Sequence, residues 1–176
     1  MSVKLGLALA SLVMLAVAPV NAQQRLTNEE ALRQFVGVWK LVHWEETLAD
    51  GTKREHPVTE GRIIYTDIGE MCAVVMDPKR AHWRSATPTA EEALAGMNSR
   101  AFYAYCAKAE MHAAEGYALH HVFIDKTPNT VGTPRKRWFE FLSSDRVLLR
   151  IDRAELQAPI VESALIWERV TAGAGD

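Results

Sequence analysis

The sequence predicts an all-β fold: a closed or nearly closed antiparallel barrel of about eight strands, with a short N-terminal helix and one internal helix. Three observations carry this. Segments of strand composition recur with turn signals often spaced near ~10 residues. The first strand opens on Gly37-Val38-Trp39 directly behind a capped helical stretch. Only one clear helical pattern interrupts the series, between the third and fourth strands. A barrel of about eight strands can be filled by side chains or can hold one small ligand, and closure removes exposed sheet edges.

The 176 residues, 48% hydrophobic and 24% charged, suit one globular domain with material for a core. Lys4, the apolar run from Leu5 to Val20 and the small residues of Val20-Asn21-Ala22 have the layout of a secretory signal peptide. The apolar run is short for a membrane span. Residues 1–22 are therefore expected to be cleaved after Ala22, leaving 23–171 as the domain and 172–176 as a flexible tail, in a secreted or periplasmic protein. No cysteine near the cut suggests a lipid anchor. Near-balanced charge, 20 basic against 22 acidic residues, gives no footprint for nucleic acid or an anionic membrane. No stable membrane insertion is expected after cleavage, and the oligomeric state is left open.

The elements follow in order. Thr27 and Glu30 have capping-box spacing, Leu32, Phe35 and Val36 supply an apolar stripe, and Gly37 ends the helix predicted over 27–36. From Trp39 the pattern alternates, placing Trp39, Leu41, His43 and Glu45 on one face and Lys40, Val42, Trp44 and Glu46 on the other. Asp50-Gly51 is a turn that folds this strand back on Gly61 to Thr66, and a turn at Asp67 to Gly69 leads to the strand Met71 to Met76. Pro78 closes that strand. Thr87-Pro88-Thr89 opens the internal helix, expected to run to about Phe102 with Leu94 and Met97 as core contacts. Tyr103 to Met111, Tyr117 to Ile124, Arg135 to Phe141, Val147 to Asp152 and Val161 to Val170 read as the remaining strands.

Cys72 and Cys106 can pair in an oxidising compartment; the alternative is two small buried residues on separate strands. There is no Cys-x-x-Cys or His-x-x-x-His spacing, and no metal is expected. No motif for a dinucleotide, phosphate or hydrolytic chemistry occurs, so no cofactor is expected.

Gly37-x-Trp39, Trp44-Glu45, Asp50-Gly51, Tyr65, Gly69-Glu70-Met71, the aromatic run Phe102 to Tyr105, His120-His121-Val122, Asn129, Gly132, Arg137 and Trp167-Glu168-Arg169 together resemble the lipocalin-like domain family of bacteria and fungi, distant relatives of the lipocalins. Their order spans nearly all of the predicted mature chain. The resemblance implies that the first helix plugs one barrel end, and that Gly37, Trp39 and Arg169 form this closed, structural end, the arginine packing over the tryptophan. The chain departs from the pattern at Thr130 and at Cys106, where aromatic residues are common.

Candidate ligand-binding residues are His43, Glu45, Tyr65, Tyr105, His121, Arg137 and Phe139. His120 and His121 point to opposite faces of their strand, and His121 is assigned to the more hydrophobic side with Tyr117, Leu119 and Phe123. Arg137 shares parity with Phe139 and Phe141 and, if buried, needs a carboxylate, for which Glu45 is the candidate; otherwise it lies on the solvated face of Arg135-Lys136-Arg137. Tyr65 and Tyr105 offer phenol donors to an apolar pocket. These features point to a barrel binding a small hydrophobic or aromatic molecule. The alternative is a cofactor-independent isomerase, cyclase or lyase in the same cavity, using His121, Tyr105 and Arg137 as base, acid and oxyanion stabiliser. A third reading is a filled barrel acting through protein contacts, which a cavity would exclude.

Overall fold

The computed structural model describes residues 26–96, 100–171 and 173. The expected signal peptide, Met97 and residues 172 and 174–176 of the tail lie outside the described residues. Thr27 caps helix α1 (Asn28–Phe35) in a complete capping box, and nine strands follow: β1 (Gly37–Leu48), β2 (Lys53–Glu55), β3 (Glu60–Tyr65), β4 (Glu70–Met76), β5 (Phe102–His112), β6 (Tyr117–Asp125), β7 (Pro134–Ser143), β8 (Arg146–Ile151) and β9 (Ile160–Arg169). Helix α2 (Ala90–Gly96) lies in the connection between β4 and β5.

Every adjacent pair is antiparallel, and β1 pairs with β9 from Trp39–Arg169 to Leu48–Ile160, so eight strands close into a barrel. The ninth, β2, is the addition. It pairs with the far half of β1, Glu45 to Thr47, while β3 takes the near half, Gly37 to Lys40. The Asp50-Gly51 turn thus folds the chain first onto β2 and only then onto β3.

Three expectations are corrected here. The internal helix is described over Ala90–Gly96, and Phe102, expected at its end, already belongs to β5. Leu94 is 72% exposed, not a core contact. The strict alternation of β1 also breaks: the β1–β9 register shifts between Leu41 and His43, leaving Val42 as an extra residue. Trp39 and Leu41 face the core before the bulge, and Trp44 and Glu46 face inward after it. His43 and Glu45 are thereby turned outward.

The closed end is built by mutual fit. Phe35, at the end of α1, packs against Tyr65, Phe139 and Phe141 at ring-centroid separations of 4.8, 5.2 and 4.8 Å. The Trp39 indole donates to the Phe35 carbonyl at 2.7 Å, and the Arg169 guanidinium lies 4.2 Å above the indole ring. Arg169 also donates to the carbonyls of Val36 and Gln34, at 2.7 and 2.6 Å, which the helix end leaves without intrahelical partners. Gly37 has φ of +128°, and a β-carbon there would stand 2.9 Å from the Arg169 Nη1. Only glycine suits both demands.

Cys72 and Cys106 face each other across β4 and β5 and are joined by a disulfide. The bridge spans 34 residues of sequence. On loop-closure entropy, Cys72→Ser with Cys106→Ser is expected to lower unfolding free energy by about 2–4 kcal/mol, read from urea denaturation without reductant. A midpoint equal to that of the parent would show that the bridge contributes nothing.

Candidate functional site

Away from the α1 plug, the barrel holds an interior cavity of about 170 Å³, whose lining includes none of Phe35, Phe139 and Phe141. Its walls are mostly apolar: Trp44, Ile63, Ala73, Val75, Leu149, Ile151, Leu165 and Trp167. Tyr103 and Tyr105 from β5, Arg135 and Arg137 from β7, and Glu155 from the 3-10 turn after β8 supply the polar lining. A larger depression of about 620 Å³ on the outside, between the β4–β5 connection and the ends of β4 and β5, shares no lining residue with it.

Both arginines are matched by carboxylates. Arg137, 8% exposed, reaches both Glu155 oxygens from Nη1 at 2.9 Å. Glu155 also accepts the Lys136 backbone N–H at 2.7 Å and lies 3.6 Å from Arg135. Arg135 donates to Asp125 at 3.1 Å, and Tyr103 donates to the same carboxylate at 2.6 Å. Burial works against the Asp125 anion, but the bond from Tyr103 and the Thr127 backbone N–H hold its pKa below the ordinary value. Glu155, not Glu45, is therefore the partner of Arg137. Glu45 sits outside and pairs with Lys53 at 2.7 Å.

Behind Tyr105 lies His120, with no solvent exposure. Its Nδ1 is 2.9 Å from the Tyr105 hydroxyl and its Nε2 is 3.0 Å from that of Tyr65. Burial first, then the charges of Arg137 and Arg135, push its pKa down to about 3. His120 is thus the inward histidine. His121 is exposed and pairs with Glu110 at 2.7 Å, which corrects its assignment to the lumen and breaks up the His121, Tyr105 and Arg137 constellation. Phe139 packs on Phe35 at the closed end and does not line the cavity. His43 lines a separate small pocket of about 70 Å³ with Leu41, Val42, Trp44, Glu55 and His56. Tyr65 is buried, but it reaches the cavity only through His120.

On the far half of β1, the inward Glu46 is 3% exposed and held by Arg54 at 2.9 Å and Arg100 at 3.3 Å. Burial raises its pKa, and the bonds from Arg100 and Arg54 outweigh this and lower it. His56, stacked on Trp44 at 3.7 Å, is pushed down to about 4, chiefly by burial and despite the Glu46 charge.

Both buried histidines are neutral in the fold and titrate near 6.5 when unfolded. As pH falls below 6.5 the unfolded chain takes up protons that the folded one refuses, so stability declines down to about 4 for His56 and about 3 for His120. Unfolding free energies measured between pH 7 and 4 should fall by up to about 1.4 kcal/mol per pH unit for each histidine. His56→Phe should flatten the slope; an unchanged slope would contradict the burial of a neutral His56.

Sequence reasoning missed Trp44, Trp167, Tyr103, Arg135, Asp125, Glu155 and His120. The run Arg135-Lys136-Arg137 was the available signal, since a buried arginine pair demands carboxylates.

A family model described as a lipocalin-like domain matches residues 36–170. A de novo designed fluorescence-activating β-barrel is similar in structure with a TM-score of 0.41 at 11% identity, covering 82% of this chain and 100% of that one. No curated protein matches the sequence.

Proposed function

The chain belongs to the lipocalin-like domain family, and from that premise we propose that it binds a small, mainly apolar organic molecule inside the barrel. The observation that carries this reading is the cavity: about 170 Å³, walled by two tryptophans and aliphatic side chains, with its polar groups gathered on one side. That layout is the usual recipe for a site that gains affinity from burial and orientation from a few polar contacts. An interior filled by side chains, the condition of a barrel acting only through its surface, does not describe these residues.

The molecule would enter by the end away from α1, since the Trp39–Arg169 pair and α1 occupy the other. Titration with a one-ring hydrocarbon such as ethylbenzene tests the reading through methyl NMR. Saturable shifts at Val75, Ile63, Leu149 and Leu165 are expected. Shifts confined to the outer depression around Trp83, or none, would overturn it.

We also propose export, with residues 1–22 removed. Support comes from the leader pattern in the sequence and from the Cys72–Cys106 bridge, a bond that persists in oxidising compartments. The mass of the protein from the secreted or periplasmic fraction is expected to match a chain starting at Gln23; an intact N-terminus would refute cleavage.

A further inference from the structure

We propose that the cavity selects an uncharged molecule about one aromatic ring in size that carries a carbonyl oxygen, and that this oxygen accepts a hydrogen bond from Tyr105. The inference rests on the small-molecule reading above and narrows it to a ligand class.

The first argument is a count of protons. His120 is sealed from solvent and flanked by two phenols, Tyr105 on Nδ1 and Tyr65 on Nε2. A neutral imidazole has one N–H and one lone pair. One tyrosine donates to the lone pair; the other accepts the N–H and keeps its own proton for a different acceptor. Tyr65 faces the aromatic plug at Phe35, whereas Tyr105 lines the cavity. A buried donor left unmatched is unfavourable. With the proton on Nδ1, Tyr65 donates to His120 and the spare proton belongs to Tyr105, whose oxygen also meets the Arg137 guanidinium and whose hydroxyl lines the cavity, where a bound acceptor can take it. A bound acceptor therefore selects that tautomer, and the three side chains act as a relay that presents a phenol O–H to the ligand.

The second argument is a count of charges. Arg135 and Arg137 are matched by Asp125 and Glu155, so the polar wall is electrically neutral as it stands. A carboxylate ligand would add an uncompensated charge to a buried wall whose positive and negative groups already balance, although the Arg135 Nε–H has no protein partner. A carbonyl brings the acceptor without the charge. The third argument is size: an apolar cavity of roughly 150 Å³ holds benzene, and this one measures about 170 Å³.

Acetophenone, ethylbenzene and benzoate are matched in size and differ in the group the proposal concerns. Binding to the full mature chain is followed by the methyl shifts of Val75, Leu149 and Leu165, and the bound ketone by its infrared carbonyl stretch. Acetophenone should bind and benzoate should not. The stretch should lie below its frequency in hexane, a readout that requires no variant. Tyr105→Phe should weaken acetophenone about tenfold, the scale of one buried hydrogen bond, leave ethylbenzene within about twofold, and return the stretch toward the hexane value. Tightest binding of benzoate, equal loss for ketone and hydrocarbon in the variant, or an unshifted stretch would overturn the ligand class while leaving small-molecule binding intact. If none of the three probes shifts the methyls, the cavity reading fails and takes this one with it.

Discussion

Replacing Trp39 with alanine is expected to lower the unfolding free energy by about 3–5 kcal/mol, the range for deleting a large aromatic from a core. The indole has no solvent exposure and carries three roles at once. It fills the space beneath α1, donates to the Phe35 carbonyl, and offers its face to Arg169. Truncation leaves a hole, an unmatched helix-end carbonyl and a guanidinium without its platform. Trp39→Phe separates these effects, since it keeps most of the volume and loses the N–H; a cost of about 1–2 kcal/mol is expected. Urea denaturation followed by circular dichroism measures both. A midpoint for Trp39→Ala unchanged from the parent would mean that the end is closed by something other than this pair.

Glu155→Ala is expected to cost about as much, about 3–5 kcal/mol, for a different reason. The carboxylate adds little by attraction alone, because burying an ion pair requires stripping water from both members. Its removal matters through what remains: Arg137, almost fully buried, would keep the Lys136 carbonyl at 2.7 Å but lose its carboxylate. Adding Arg137→Met to Glu155→Ala should therefore recover most of the loss, since the stranded charge goes with its partner. Denaturant titrations of the two single variants and the double form the test. A cost below about 1 kcal/mol for Glu155→Ala would show Arg137 to be more hydrated than its position implies.

The strands were legible in the sequence because turn chemistry marks their ends: Asp50-Gly51, Asp67 to Gly69 and Ser144-Asp145 all fall between strands. The closed end was legible too, through Gly37, Trp39 and Arg169. Facing was harder. The bulge at Val42 carries no glycine or proline to announce it, yet it exchanges His43 and Glu45 for Trp44 and Glu46 at the interior. On β6 the outer face bears Phe123 and Ile124, both about half exposed, so apolar content could not separate the side of His120 from that of His121. Glu155 comes from a connection, where no periodicity exists to point it inward. The residues that position the site are thus the ones whose direction depends on pairing between distant strands.

The disulfide has a consequence for chain continuity. Cys72 and Cys106 lie on either side of the long β4–β5 connection, which carries exposed Trp83 and Leu94 and the short helix α2. A protease cutting within that connection severs the backbone inside a covalent ring, so the two fragments stay one molecule, still laced along the β4–β5 ladder. A cut in this exposed connection would therefore leave the barrel's closure intact.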